Sequence, residues 1–180
     1  MPAEAASSLN DGAIHVAPLS AVHEVARGLP SYDLLTLLSP DTDATPLVAL
    51  TPQRRLHLVF HDIVEAREGL IVPSGEMIAA MLDFGRARAR ETPLLVHCWA
   101  GISRSSAAAY TLACDRHPGC EDELATALRA RAPFVTPNRR MVALADDLLG
   151  RNGAMVDAIA RIGRGAEAFE GMPYRLELNF

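Results

Sequence analysis

The chain has 180 residues, 49% of them hydrophobic, and a formal net charge of −5. That length buries one sizeable core and is short for two, so residues 1–180 are expected to form a single domain with its core at about 31–164. The acidic balance argues against nucleic acid or a membrane surface as the main partner, so any positive field has to be local.

In chain order, Ala13 to Val16 reads as a short strand. Ser20 is placed to cap a helix over Ala21 to Arg27, with Val22, Val25 and Ala26 on its buried side. Asp33 to Leu38 is a second strand, stopped by Ser39-Pro40-Asp41. Thr45 to Thr51 reads as a short edge strand despite Pro46 and Pro52. Arg55 to Phe60 alternates and then runs apolar, a strand that delivers His61 and Asp62 at its C-terminal end. A loop follows from Ile63 to Val72. Ser74 then caps a helix to about Arg88, whose face carries Met77, Ile78, Met81, Leu82 and Gly85. Pro93 to Val96 is a buried strand and Ser106 to His117 a helix, thin because of Ala107, Ala108 and Ala109. Glu121 to Ala132 and Asn138 to Leu149 are further helices, the second with Met141, Leu144 and Leu148 inward, and residues 151 to 164 continue as another that starts after Gly150 or Gly153. Tyr174 to Leu178 reads as a last strand.

All 17 basic residues are arginine and alanine is abundant, which points to a GC-rich and hence bacterial coding sequence. Residues 1–12 lack the basic start and apolar core of a secretory signal, and no run has the length of a membrane span. The odd set Cys98, Cys114 and Cys120 has neither disulfide nor metal spacing, which fits a reducing cytoplasm.

Between the buried strand and the thin helix lies His97-Cys98-Trp99-Ala100-Gly101-Ile102-Ser103-Arg104-Ser105. A cysteine between a strand end and a helix start, with an arginine six positions on, is set up as a nucleophile beside an anion site, since backbone N–H groups and the helix dipole converge there. The five residues between Cys98 and Arg104 are enough to wrap amides around a tetrahedral dianion. Gly101 allows the tight curve, and Arg104 offers a planar fork to two phosphoryl oxygens. Ser105 can donate to the sulfur and ease its departure. His97 is expected to hold the loop, and Trp99 to line the pocket wall. Transfer of a phosphoryl group to sulfur also needs an acid for the leaving oxygen. In an open parallel sheet the C-terminal strand ends share one rim, so Asp62 can meet Cys98 there, with Asp41 and Asp43 as substitutes. No metal or cofactor is required, because Arg104 and the amides supply the charge stabilisation.

His-Cys-x5-Arg-Ser after a strand resembles the active-site loop of the protein tyrosine phosphatase superfamily, and residues 56–149 resemble its small dual-specificity branch. Phe60-His61-Asp62 matches that branch's general-acid position, and Pro137-Asn138 a Pro-Asn pair before a late helix. The resemblance implies an α/β fold with a central, mostly parallel sheet flanked by helices. It also implies two-step catalysis through a phosphocysteine, with Cys98 as nucleophile, Arg104 as phosphate clamp, Ser105 as thiolate partner and Asp62 as general acid. The expected substrates are phosphotyrosine in a phosphorylated protein or peptide and, for a shallow pocket, phosphoserine and phosphothreonine. Phosphate and vanadate-type oxyanions are the expected small ligands. The Trp-Pro-Asp triplet of a mobile acid loop is absent, and so are the loop lysines typical of 3-phosphoinositide phosphatases. Two other readings remain open: a rhodanese-like sulfurtransferase, and a silent phosphopeptide-binding module.

Overall fold

The computed structural model describes residues 12–177. Five segments form one sheet: β1 (Ile14–Pro18), β2 (Asp33–Leu38), β3 (Arg55–Val59), β4 (Leu94–Cys98) and β5 (Tyr174–Leu176), in the order β3-β2-β4-β1-β5. The first four strands run parallel to one another and β5 is antiparallel to β1. This is the mostly parallel α/β sheet that the sequence predicts. Of the three interior strands, β2 and β4 are buried along their whole length, which is why both read as largely apolar runs.

Helix α1 (Val22–Arg27) covers one face. The other is covered by α2 (Gly75–Arg86), α3 (Arg104–Arg116), α4 (Glu121–Arg131), α5 (Arg139–Leu149) and α6 (Ala154–Ile162). Helix α3 is the middle of this layer and packs on β1, β4, α2, α4 and α5. Its alanines at 107 to 109 are buried against the sheet. The period of two along each strand decides which residues meet which layer. Leu34, Leu38 and Leu95 pack with Val22 and Ala26. Leu35, Leu37, Leu94, Val96 and Cys98 pack on the α3 side. Cys98 is thereby aimed at the helix that follows it, and its neighbour His97 away from it. Parallel strands also bring Pro18, Leu38, Val59 and Cys98 to one rim.

Several elements differ from expectation. The segment expected as an edge strand, Thr45 to Thr51, is a 3-10 turn over Thr45–Ala49 with proline in its first positions, where the missing N–H costs nothing. Ser20 sits inside a 3-10 turn and caps nothing; its hydroxyl donates to the Glu170 carboxylate at 2.7 Å. Leu148 is 50% exposed and not inward. The last helix takes the second of its two expected starts, after Gly153, because Asn152 and Gly153 have positive φ of 53° and 90° and break the helical path before it; it ends at Ile162, short of Arg164. The expected core of 31–164 leaves out β1, an interior strand, and β5, which pairs with it. The expectations for residues 1–11 and for Leu178 lie outside the described residues. Among those described, no helix is long and apolar enough to cross a membrane.

Ser74 does cap α2, its Oγ accepting from Met77 N at 3.3 Å. Ser74→Ala is expected to cost about 1 kcal/mol and lower the melting temperature by roughly 2–4 °C, whereas Ser20→Ala should change it by less than about 1 °C. Equal melting shifts in the two variants would contradict the assignment of caps.

Candidate active-site loop

Strand β4 ends on Cys98 and α3 begins on Arg104, so residues 99–103 are the whole connection. A link this short has to curl to join a strand to a helix stacked against it. Gly101 makes the curl with φ of 70°, and a Cβ there would stand 2.7 Å from the Pro18 backbone nitrogen. Only glycine fits that position.

Four carbonyls of the link face outward. Trp99 O accepts from Leu19 N at 3.0 Å, Ala100 O from Gly171 N at 2.8 Å, Ile102 O from Thr136 N at 3.2 Å and Ser103 O from Asn138 N at 3.2 Å. In a planar trans peptide the N–H points opposite to the C=O. The amides of Ala100, Gly101, Ser103 and Arg104 therefore turn toward the inside of the curl. Gly101 N illustrates this by donating to Cys98 Sγ at 3.2 Å. Ser105 Oγ, at the start of α3, lies 3.2 Å from the same sulfur. Cys98 itself is almost fully buried.

Arg104 is buried and its guanidinium is held by neutral acceptors. Its Nη1 donates to the Phe60 carbonyl at 2.9 Å and to Ser39 Oγ at 3.1 Å, and the group lies 5.9 Å from the Phe60 ring centroid. Among the described residues no carboxylate pairs with it. Its Nε is buried without a hydrogen-bond partner. A cation with an unused donor, beside a ring of inward amides, is a place for an anion.

Asp62 is brought to this loop from the end of β3. Its Oδ1 accepts from Ser103 Oγ and from Asn138 Nδ2, both at 2.8 Å. Asn138 is the N-cap of α5, where its Oδ1 accepts from Met141 N at 3.1 Å. That bond fixes which end of the amide faces Asp62, so the Asn138 side chain fastens α5 to Asp62 while the Asn138 backbone N–H donates to Ser103 O. Arg140 steadies the following segment, donating to Pro73 O at 2.8 Å and to Val64 O at 3.5 Å. Asp43 belongs to its own turn: two hydrogen bonds from Thr45 hold its carboxyl below the usual range. His61 Nδ1 accepts from Ile71 N at 2.9 Å and shapes the rim. Trp99 is 43% exposed and meets Phe169 edge to face, with ring centroids 5.5 Å apart.

His97, on the opposite face of β4, lies 2.8 Å from Thr36 Oγ1 through Nε2 and 3.4 Å from its neighbour's carbonyl, Cys98 O, through Nδ1. A carbonyl only accepts, so the proton sits on Nδ1 and the Thr36 hydroxyl donates to Nε2. Of the other cysteines, Cys114 is buried and its thiol is pushed up to about 12, which makes it inert; Cys120 is free as well. Among the described residues no group of three or more His, Cys, Asp or Glu is gathered where it could hold a metal ion.

The sequence reading brings forward Cys98, Arg104, Ser105, Asp62 and the loop between them, and the structure places all of these together. It gives no role to Ser39, Thr36 or Phe169. Ser39 carries a usable signal, because it follows β2 at the shared rim. Phe169 carries none, because its segment has no periodicity.

No family model matches the chain, and no curated protein sequence matches it. Solved structures do match. Tk-PTP in the active form superimposes with a TM-score of 0.57 at 21% identity, over 78% of this chain and 94% of that one. PTPMT1 superimposes with a TM-score of 0.57 at 14% identity, over 82% and 96%. At identities this low the superpositions establish the fold alone, which is the α/β cysteine-phosphatase fold.

Burial lowers the His97 pKa from 6.5 to about 4, against the opposing hydrogen bond to Cys98. Between those values the unfolded chain binds the proton and the folded one does not, so the full stability is present above about 6.5 and falls as the pH drops toward 4, by roughly 3 kcal/mol. Urea unfolding at about pH 7 and about pH 4.5 should show a smaller acid loss in His97→Asn than in the parent. An equal loss in both would remove His97 as the cause.

Proposed function

We propose that this protein is a cysteine-dependent phosphatase that hydrolyses phosphotyrosine and, where the phosphate can be reached, phosphoserine and phosphothreonine in proteins or peptides. The observation that supports this reading most is the loop itself: amides turned inward around Cys98 Sγ, beside the unpartnered Nε of Arg104. A tetrahedral dianion is the ligand that such a ring of donors and one cation complements.

In the first step Cys98 Sγ attacks phosphorus in line with the ester oxygen. The S–P bond forms, the P–O bond breaks, and Asp62 gives the leaving oxygen its proton. Arg104 and the inward amides hold the equatorial oxygens, whose charge they neutralise as it spreads. In the second step the Asp62 carboxylate takes a proton from water, whose oxygen attacks phosphorus. The S–P bond then breaks, inorganic phosphate leaves, and Ser105 donates to the returning sulfur anion. The hydrogen bonds from Ser103 and Asn138 aim Asp62 in both steps. This need for an acid separates the phosphatase from a sulfurtransferase, which takes none, and from a silent binding module, which turns nothing over.

Cys98→Ser should abolish hydrolysis of p-nitrophenyl phosphate while leaving vanadate binding detectable through Trp99, the single tryptophan; retained turnover would rule out the sulfur as nucleophile. Asp62→Asn should lower kcat on phenyl phosphate by about 100-fold and flatten the alkaline limb of its pH profile, with a smaller loss on p-nitrophenyl phosphate, whose phenolate leaves readily without a proton. Equal losses on both esters would move the acid role elsewhere.

A further inference from the structure

Residues 163–173, between α6 and β5, have no regular structure yet are fastened throughout. Arg129 Nη2 donates to Gly163 O at 2.8 Å, Gly165 N to Thr136 Oγ1 at 3.1 Å and Ala166 N to Pro133 O at 2.9 Å. Further on, Ser20 Oγ donates to Glu170 Oε1 at 2.7 Å and Gly171 N to Ala100 O at 2.8 Å. A Cβ at Gly165 would stand 2.4 Å from the Val135 carbonyl oxygen, and one at Gly171 would stand 2.4 Å from the Phe134 ring, which would have to shift. A strap seated this closely has a defined outer side, and that side carries Phe169, which is 84% exposed.

Packing leaves a phenyl ring in water at a hydrophobic cost of the order that burying it would recover. Here the ring is not left at random. It stands edge-on to Trp99, the residue next to Cys98, at a centroid distance of 5.5 Å and an interplanar angle of 90°. Two perpendicular rings form a corner, and aromatic contacts favour such edge and offset geometries. Trp99 directly follows Cys98 in the loop, so this corner is built on the loop that holds the sulfur. Nothing in the catalytic steps uses it. An exposed aromatic pair held in a fixed geometry next to a polar loop is a candidate recognition surface.

We propose that Trp99 and Phe169 form an aromatic wall at the mouth of the loop that selects phosphomonoesters of aromatic alcohols over those of aliphatic ones, with Phe169 as a specificity-determining residue. This rests on the phosphatase reading above and narrows it to aryl phosphates such as phosphotyrosine. The strap supplies the wall from the far end of the chain, through the bond between Gly171 and Ala100.

The test compares kcat/KM for phenyl phosphate and hexyl phosphate, which carry equal numbers of carbons. In Phe169→Ala the aryl-to-alkyl ratio should fall about three- to ten-fold, the usual worth of an aromatic pair; Phe169→Tyr should keep it and Phe169→Leu should not restore it. A parallel loss on both esters would make Phe169 a prop for the loop and overturn the proposal. Recovery by leucine would overturn it too, since the surface would then read apolar bulk such as an acyl chain. If the parent protein hydrolyses neither ester, the phosphatase reading fails by itself. The wall is then judged by Trp99 fluorescence in Cys98→Ser, where phenylphosphonate should bind more tightly than hexylphosphonate and Phe169→Ala should erase the difference. Equal affinities before that substitution would refute it.

Discussion

The orientation of four peptide planes in residues 99–103 is the constraint on which the rest of this site depends. A carbonyl turned into the curl would present negative charge to an anion, and a carbonyl turned out of it needs a donor to stay there. The fold supplies those donors from three separate places: the turn after β1, the link between α4 and α5, and the strap before β5. Gly101 allows the backbone to lie against Pro18 while this happens. The inward amides are thus a product of tertiary structure and not of the loop's own preference.

Charge is arranged by the same economy. The protein is acidic overall, yet the loop has a buried guanidinium held by a carbonyl and a hydroxyl, with no carboxylate of the described residues against it. Neutral acceptors fix the position of Arg104 and leave its charge uncompensated, which a bound carboxylate would not. Asp62 is kept on the other side of Ser103, bonded to a hydroxyl and an amide, so its carboxylate reaches the loop without neutralising the arginine. His97, neutral and facing away, braces β4 against β2 and adds no charge.

The sheet was legible because β2 and β4 are buried on both faces and therefore largely apolar, as in Leu34 to Leu38, broken only by Thr36, and Leu94 to Val96. The loop was legible because its chemistry is concentrated in neighbouring residues. Asp62 was reachable by one rule, that parallel strands end on a common rim. What could not be read was contact made by irregular backbone: Thr45 to Thr51 has the composition of a strand but the prolines of a turn, and Ser20 has the position of a cap but bonds Glu170 instead. The strap carrying Phe169 is the extreme case, since its place depends on glycines fitting against Phe134 and Val135, which no local pattern announces.

The bond from Gly171 to Ala100 joins the loop to a segment made long after it in synthesis. A chain growing from its N-terminus has Cys98, Arg104 and Asp62 available early, but the carbonyl of Ala100 has no partner until the strap has emerged and docked. The complete cradle is therefore closed only when β5 is in place beside β1. The arrangement of the loop is tied in this way to completion of the fold, and a truncated or half-folded copy has Cys98 without the full set of donors that hold the loop carbonyls outward.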